Sequence, residues 1–117
     1  MTVNPSFRTF VLEQLARSVA GIRGRSMFGG VGIYSRDVFF ALIADDTLYF
    51  KVDESNRTEF ETRGMEPFRP YGEHGEVMQY YRVPEDLLDD FELLGQWAEQ
   101  AIGVARRAKL RTPRRRS

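Results

Sequence analysis

Residues 31–52 read VGIYSRDVFFALIADDTLYFKV, and this stretch decides the fold. Val38 to Ala44 is an unbroken apolar run of strand length, which suits a central strand covered on both faces. Ser35-Arg36-Asp37 before it and Asp45-Asp46 after it are turn sequences. Connections this short leave antiparallel pairing as the geometry for the neighbours. Those neighbours are Val31-Gly32-Ile33-Tyr34 and Leu48-Tyr49-Phe50-Lys51-Val52. In the second, alternation puts Leu48, Phe50 and Val52 on one face and Tyr49 and Lys51 on the other.

Working outward, Arg25-Ser26-Met27-Phe28 reads as a shorter strand joined through the turn Gly29-Gly30. On the other side Asp53 is placed to cap a short helix over residues 54–63, ended by Gly64, with Phe60 its one large apolar residue. Residues 65–76 hold two prolines and two glycines and read as a loop, and residues 77–83 form one more strand. Upstream, Asn4-Pro5 is a helix start, followed by Phe7, Phe10, Val11, Leu15 and Val19 at helical spacing and Gly21 as a stop. Downstream, Pro84 opens a helix over about residues 85–109, striped with Leu87, Leu88, Phe91, Leu94, Ala98, Ala101, Ile102 and Ala105. Acids begin that helix and cations end it, complementing its macrodipole. Gly95 within it marks a hinge or a close helix contact.

The fold class is therefore α+β. An antiparallel sheet, a meander plus one later strand, packs with an N-terminal helix and a long C-terminal helix. Residues 1–109 form one domain and residues 110–117 a basic tail expected to be disordered. An apolar content of 42% in 117 residues is enough to build a core. No apolar run approaches the roughly 20 residues that span a bilayer, and the first residues lack a signal-peptide core, so a cytoplasmic protein with no membrane contact is expected. Without cysteine there is no disulfide framework and no thiolate metal site.

The net charge of zero hides a segregation. Residues 105–117 hold seven cations and no acid, leaving ten cations against seventeen acids in residues 1–104. Arg106, Arg107, Lys109, Arg111, Arg114, Arg115 and Arg116 are the candidate nucleic-acid contacts, able to neutralise phosphates without reading sequence. Folding back onto the acidic body is the competing role.

Met27, Phe28, Gly29, Gly30, Gly32 and Tyr34 belong to a segment, residues 25–34, that resembles the opening motif of the TfoX N-terminal domain, the family of the TfoX/Sxy competence regulators. The resemblance continues through residues 39–43 and 46–53, Pro67-Phe68, residues 78–84, and the last helix with Leu87, Leu88, Trp97 and Ala101. It covers about residues 8–108, and several motifs in order make it specific. It implies an α/β fold with an antiparallel sheet and a link to transcription of competence genes, in which such regulators act as co-activators with a separate DNA-binding factor. Longer members carry a second, helical domain. The resemblance carries over no catalytic residue, cofactor or metal.

The residues themselves agree that chemistry is missing. Gly29-Gly30-Val31-Gly32 lies between strands, with no Lys-Ser/Thr after it, and reads as a tight turn or close packing rather than a phosphate cradle; a small-molecule pocket there is the weakest reading. Gly24-Arg25-Ser26-Met27-Phe28 falls one glycine short of a nucleophile elbow, and His74 is the only histidine. The carboxylates at 45, 46, 53 and 54, and at 85, 86, 89 and 90, lack calcium-loop spacing. Tyr49, Lys51, Tyr80, Tyr81 and Arg82 form the candidate interaction surface on the sheet. The expected function is thus non-enzymatic: a protein-interaction or dimerisation module, a homodimer in the simplest case, in a transcription-regulatory setting. The alternative is a nucleic-acid-contacting accessory protein that uses its arginine-rich tail.

Overall fold

The computed structural model describes residues 4–27, 29–70 and 79–111, the last without its side chain. Phe28, His74, the first two residues of the strand expected over 77–83, and Arg114, Arg115 and Arg116 lie outside the described residues.

The elements run α1 (Pro5–Ala16), β1 (Ile22–Met27), β2 (Gly30–Ser35), β3 (Val38–Ala44), β4 (Thr47–Lys51), α2 (Arg57–Thr62), β5 (Tyr80–Arg82), a 3-10 helix (Glu85–Asp89) and α3 (Phe91–Arg111). The strands form one sheet in the order β1-β2-β3-β4-β5, antiparallel throughout, so the meander expected from residues 31–52 holds and β3 is central. Asp45 and Asp46 both take positive φ, 52° and 55°, which is the two-residue hairpin geometry that matches strand twist. The Asp46 carboxylate accepts from the Asn4 backbone N–H at 2.6 Å, and Asn4 Oδ1 accepts from the Ser6 N–H at 2.8 Å. One turn thus anchors the start of α1, where Asn4 caps as its sequence suggests.

α1 and α3 cover one face of the sheet. Their shared core includes Leu15, Ile33, Phe40, Ile43, Phe50, Leu87 and Leu94, all essentially inaccessible. Register shifts between Ile33 and Tyr34, so that Tyr34 faces Phe39 while Ile33 faces Ala41. This bulge sends Phe40 and Ala41 both into the core and turns Phe39 to the far face. The apolar run of β3 is therefore covered by helices on one side only, and half-buried Phe39 and Leu42 face the other way. The outer side of β5 is sealed by residues 66–68: the Phe68 N–H donates to the Tyr80 carbonyl at 2.7 Å and the Arg82 N–H to the Glu66 carbonyl at 2.9 Å.

Three helix boundaries differ from expectation. α1 stops at Ala16, well before Gly21, and Val19 is buried from the following turn while Phe10 faces solvent. α2 begins at Arg57, because the Asp53 carboxylate is taken up by the Ser55 N–H and hydroxyl at 2.7 and 2.6 Å. Buried Asn56 secures that turn, donating to the Lys51 carbonyl and accepting from the Asp53 N–H. The long helix expected over 85–109 breaks at Asp90, whose extended backbone separates the 3-10 helix from α3 and whose carboxylate accepts from the Leu93 N–H at 3.1 Å. The apolar spacing of Leu87, Leu88, Phe91 and Leu94 is common to both helix types and conceals the break. Gly95 makes the close helix contact, against Ser18. α3 continues through Arg111.

Candidate interaction surface

The five strands contain four cations and no carboxylate: Arg23 and Arg25 on β1, Lys51 on β4 and Arg82 on β5. Among the described residues the acids lie in turns, loops and helices, outside the strands. Register then decides which way the cations point. Arg25 pairs with Gly32, Gly32 with Leu42, Leu42 with Tyr49 and Tyr49 with Arg82. Directly paired residues share a face, so these five form one row across the sheet. Arg23 pairs with Tyr34, Tyr34 with Phe39, and Lys51 with Tyr80, giving a second row beside it. Both rows lie on the face opposite the helices; the first runs from Arg25 to Arg82, the second from Arg23 to Lys51 on β4 and Tyr80 on β5.

The second row is a continuous stack. The Arg23 guanidinium sits 4.8 Å from the Tyr34 ring centre, Tyr34 stacks on Phe39 at 5.1 Å and 25°, Phe39 meets Tyr80 at 6.0 Å, and Lys51 Nζ lies 5.0 Å from Tyr80. Each contact is of the cation–π or offset-aromatic kind, worth about 0.5–1.5 kcal/mol. Burial pushes the Tyr80 hydroxyl up to about 12 and also pushes Tyr49 up. Burial lowers the Lys51 ammonium, with the Asp53 charge opposing. In the first row Tyr49 packs on Phe68 at 4.8 Å, and Arg82 approaches Glu85 at 3.8 Å.

Of the expected surface residues, Tyr49, Lys51, Tyr80 and Arg82 are brought together. Tyr81 departs from the group. It pairs with Phe50 on the helix side, packs on Phe60 at 6.0 Å and donates to Glu61 at 3.0 Å. Arg23, Arg25, Phe39 and Leu42 belong to the surface although sequence reading passed them over. Within the 25–34 motif Gly29 takes φ 81° in the turn, and a Cβ on Gly30 would strike the Ile43 carbonyl at 2.5 Å. A Cβ on Gly32 would meet the Met27 methyl at 2.6 Å and Phe39 at 3.1 Å, so Gly32 is the seat that lets Met27 lie down on the open face.

The basic end of α3 turns back on the body. Lys109 Nζ reaches Asp37 Oδ2 at 3.1 Å, and Arg107 Nη2 reaches Asp53 Oδ2 at 3.4 Å and Ser55 Oγ at 3.0 Å. The Lys109 hydrogen bond holds the Asp37 carboxyl below its usual range. At Asp53 burial pushes upward, but Ser55 and Arg107 prevail and lower it. Two of the seven expected phosphate contacts are thereby committed to carboxylates. Beside this clamp a groove of about 1050 Å³ runs between α3 and residues 51–59, with Arg57, Arg107, Glu59 and Glu99 of mixed sign on its walls. The hollow at Gly29 and Gly30 is smaller, about 300 Å³. Among the described residues no cluster of three metal-ligating side chains occurs, and no helix is long and apolar enough to cross a membrane.

The family model described as the TfoX N-terminal domain matches residues 13–105, most of the chain. A 45-residue stretch is 42% identical to a protein named DNA transformation protein TfoX1 from Aliivibrio fischeri (strain ATCC 700601 / ES114). That stretch is 38% of this chain and spans only 22% of the relative's length.

Proposed function

The chain belongs to the TfoX N-terminal domain family, and on that premise we propose that it is a non-catalytic regulatory module, acting in control of DNA uptake, that docks a macromolecular partner on its open sheet face. One observation carries the reading: Arg23, Arg25, Lys51 and Arg82 stand on that face around apolar side chains, and no carboxylate shares the strands. Structural sheets exposed to water ordinarily mix charge signs on the solvent side. Four cations around an aromatic strip favour an anionic partner, which would compete with Glu85 for Arg82.

The same charge bears on dimerisation. Two copies meeting through this face would oppose like cations, so a symmetric face-to-face homodimer is disfavoured. A partner with acidic character fits, be it protein or nucleic acid. The arginine-rich tail is an auxiliary contact in this reading, since Arg107 and Lys109 are engaged by Asp53 and Asp37.

The test is a competence-gene reporter in cells lacking the native gene, complemented with the wild-type chain, with Arg25→Glu/Arg82→Glu, or with the helix-side control Gln96→Glu. The face variant should lose reporter response while keeping its melting temperature and expression level. A fully active face variant would remove the reading.

A further inference from the structure

We infer that the partner of the open sheet face is single-stranded nucleic acid, bound without sequence preference; this rests on the docking role proposed above and names its ligand class. The cations at the two ends of the rows are separated by three to four strand spacings, about 14–19 Å. Between them lie Leu42, the Tyr34–Phe39 stack and Tyr49, the last packed against Phe68, all half-buried. A polyanion that also carries flat apolar groups satisfies both halves of this surface. Phosphates meet the guanidinium and ammonium groups, while unpaired bases bury the apolar strip. A duplex hides its bases and would leave that strip against water and sugar. An acidic peptide would pair with the cations but would leave most of the strip uncovered.

Ring geometry refines the contact. Tyr34 has Arg23 over one side and Phe39 against another, and Phe39 also meets Tyr80. Bases therefore lie along ring edges and on Leu42 rather than intercalating. The Tyr34 and Tyr49 hydroxyls, on half-buried side chains, add hydrogen-bond donors. Among the described residues the acids sit off the strands, and Glu85, 3.8 Å from Arg82, is the carboxylate that a phosphate would displace. The clamp from Lys109 to Asp37 fixes the end of α3 at the β2–β3 turn, the end of the sheet where the Arg23–Lys51 row lies.

The experiment is fluorescence anisotropy of the full chain with a labelled 12-nucleotide DNA strand, its duplex, and poly-glutamate, across a salt series. The single strand should bind at least about tenfold more tightly than either competitor. Four phosphate contacts predict a log–log salt slope of about −2.8, from about 0.7 per phosphate. Arg25→Gln/Arg82→Gln should reduce that slope by about 1.4 and weaken binding about tenfold or more. Leu42→Glu, at the centre of the strip, should abolish binding; a thermal melt confirms that each variant is folded. Arg114→Gln/Arg115→Gln/Arg116→Gln should weaken binding without removing strand selectivity. Equal affinity for duplex or for poly-glutamate overturns the inference. So does binding lost in the tail variant and untouched in Arg25→Gln/Arg82→Gln. Absence of oligonucleotide binding, with the face variant still silent in the reporter assay, overturns this inference while leaving the docking role in place.

Discussion

Gly95 on α3 sits directly against Ser18 in the turn that follows α1: a methyl group on Gly95 would lie 2.5 Å from the Ser18 Cβ. Ser18 is held there by its hydroxyl, which donates to the Phe91 carbonyl at 3.0 Å. α3 thus packs closely on the turn that follows α1. Gly103, two turns further along, has only the flexible Arg107 Nη1 nearby, at 3.4 Å.

Substitution of these two glycines should therefore have opposite signs. Gly103→Ala gains helix propensity of about 1 kcal/mol and should raise the melting temperature by about 4 °C. Gly95→Ala gains the same propensity but forces a clash costing about 1–3 kcal/mol, and is expected to lower stability. Matched calorimetry on both variants decides it; a stabilised Gly95→Ala would show that this packing is looser than described.

Asp90 ends one helix and begins the next. Removing its carboxylate leaves the Leu93 N–H without the acceptor it has at 3.1 Å. Asp90→Ala should cost about 1 kcal/mol, the usual magnitude for a lost cap, and Asp90→Asn should recover most of it. Denaturant midpoints for the three proteins read the difference, and an unchanged Asp90→Ala midpoint removes the capping role.

The clamp on the end of α3 should open in acid. The Asp37 and Asp53 carboxyls both lie below the ordinary 3.8 in the folded protein. A carboxyl with a depressed folded value contributes stability above its unfolded value, and that contribution disappears as pH falls through the depressed one. Wild type should therefore melt above Asp37→Asn/Asp53→Asn at pH 7, and the gap should close below pH 3.8. High salt should narrow it too, since the pairs are at the surface. A gap independent of pH would mean the variant acts on something other than the clamp.

Tyr80 gives the opposite limb. Its value is raised from 10 to about 12, so its contribution is intact below pH 10 and fades as pH climbs toward 12. Tyr80→Phe keeps the ring in the stack and removes the ionisation. Its stability should fall less steeply than that of wild type between pH 10 and 12, by chemical denaturation at each pH.

Much of this was legible in sequence. Two-residue turns around an apolar run fix antiparallel order almost unaided, and Asn4-Pro5 announces its helix. Strand boundaries moved by a few residues because backbone pairing, not side-chain character, ends a strand. The break at Asp90 was hidden because the stripe through it obeys both helical periods. Tyr81 could have been placed: alternation along 80–82 already sets it opposite Tyr80 and Arg82. The charged face was missed for a different reason. Counting acids over residues 1–104 averages four strand cations against carboxylates that, among the described residues, lie outside the strands. Only register shows that Arg23, Arg25, Lys51 and Arg82 leave the sheet on the same side.

The two borders of the sheet are not equivalent, since residues 66–68 close the β5 side while β1 has β2 as its sole strand partner among the described residues. Growth of the sheet by a further chain is thus confined to a single margin, and that margin carries Arg23 and Arg25, whose mutual repulsion across any like pairing blocks polymerisation. The arginines that serve recognition would on this account also act as gatekeepers of solubility: Arg23→Val/Arg25→Val should turn a clear solution turbid at concentrations the native chain tolerates.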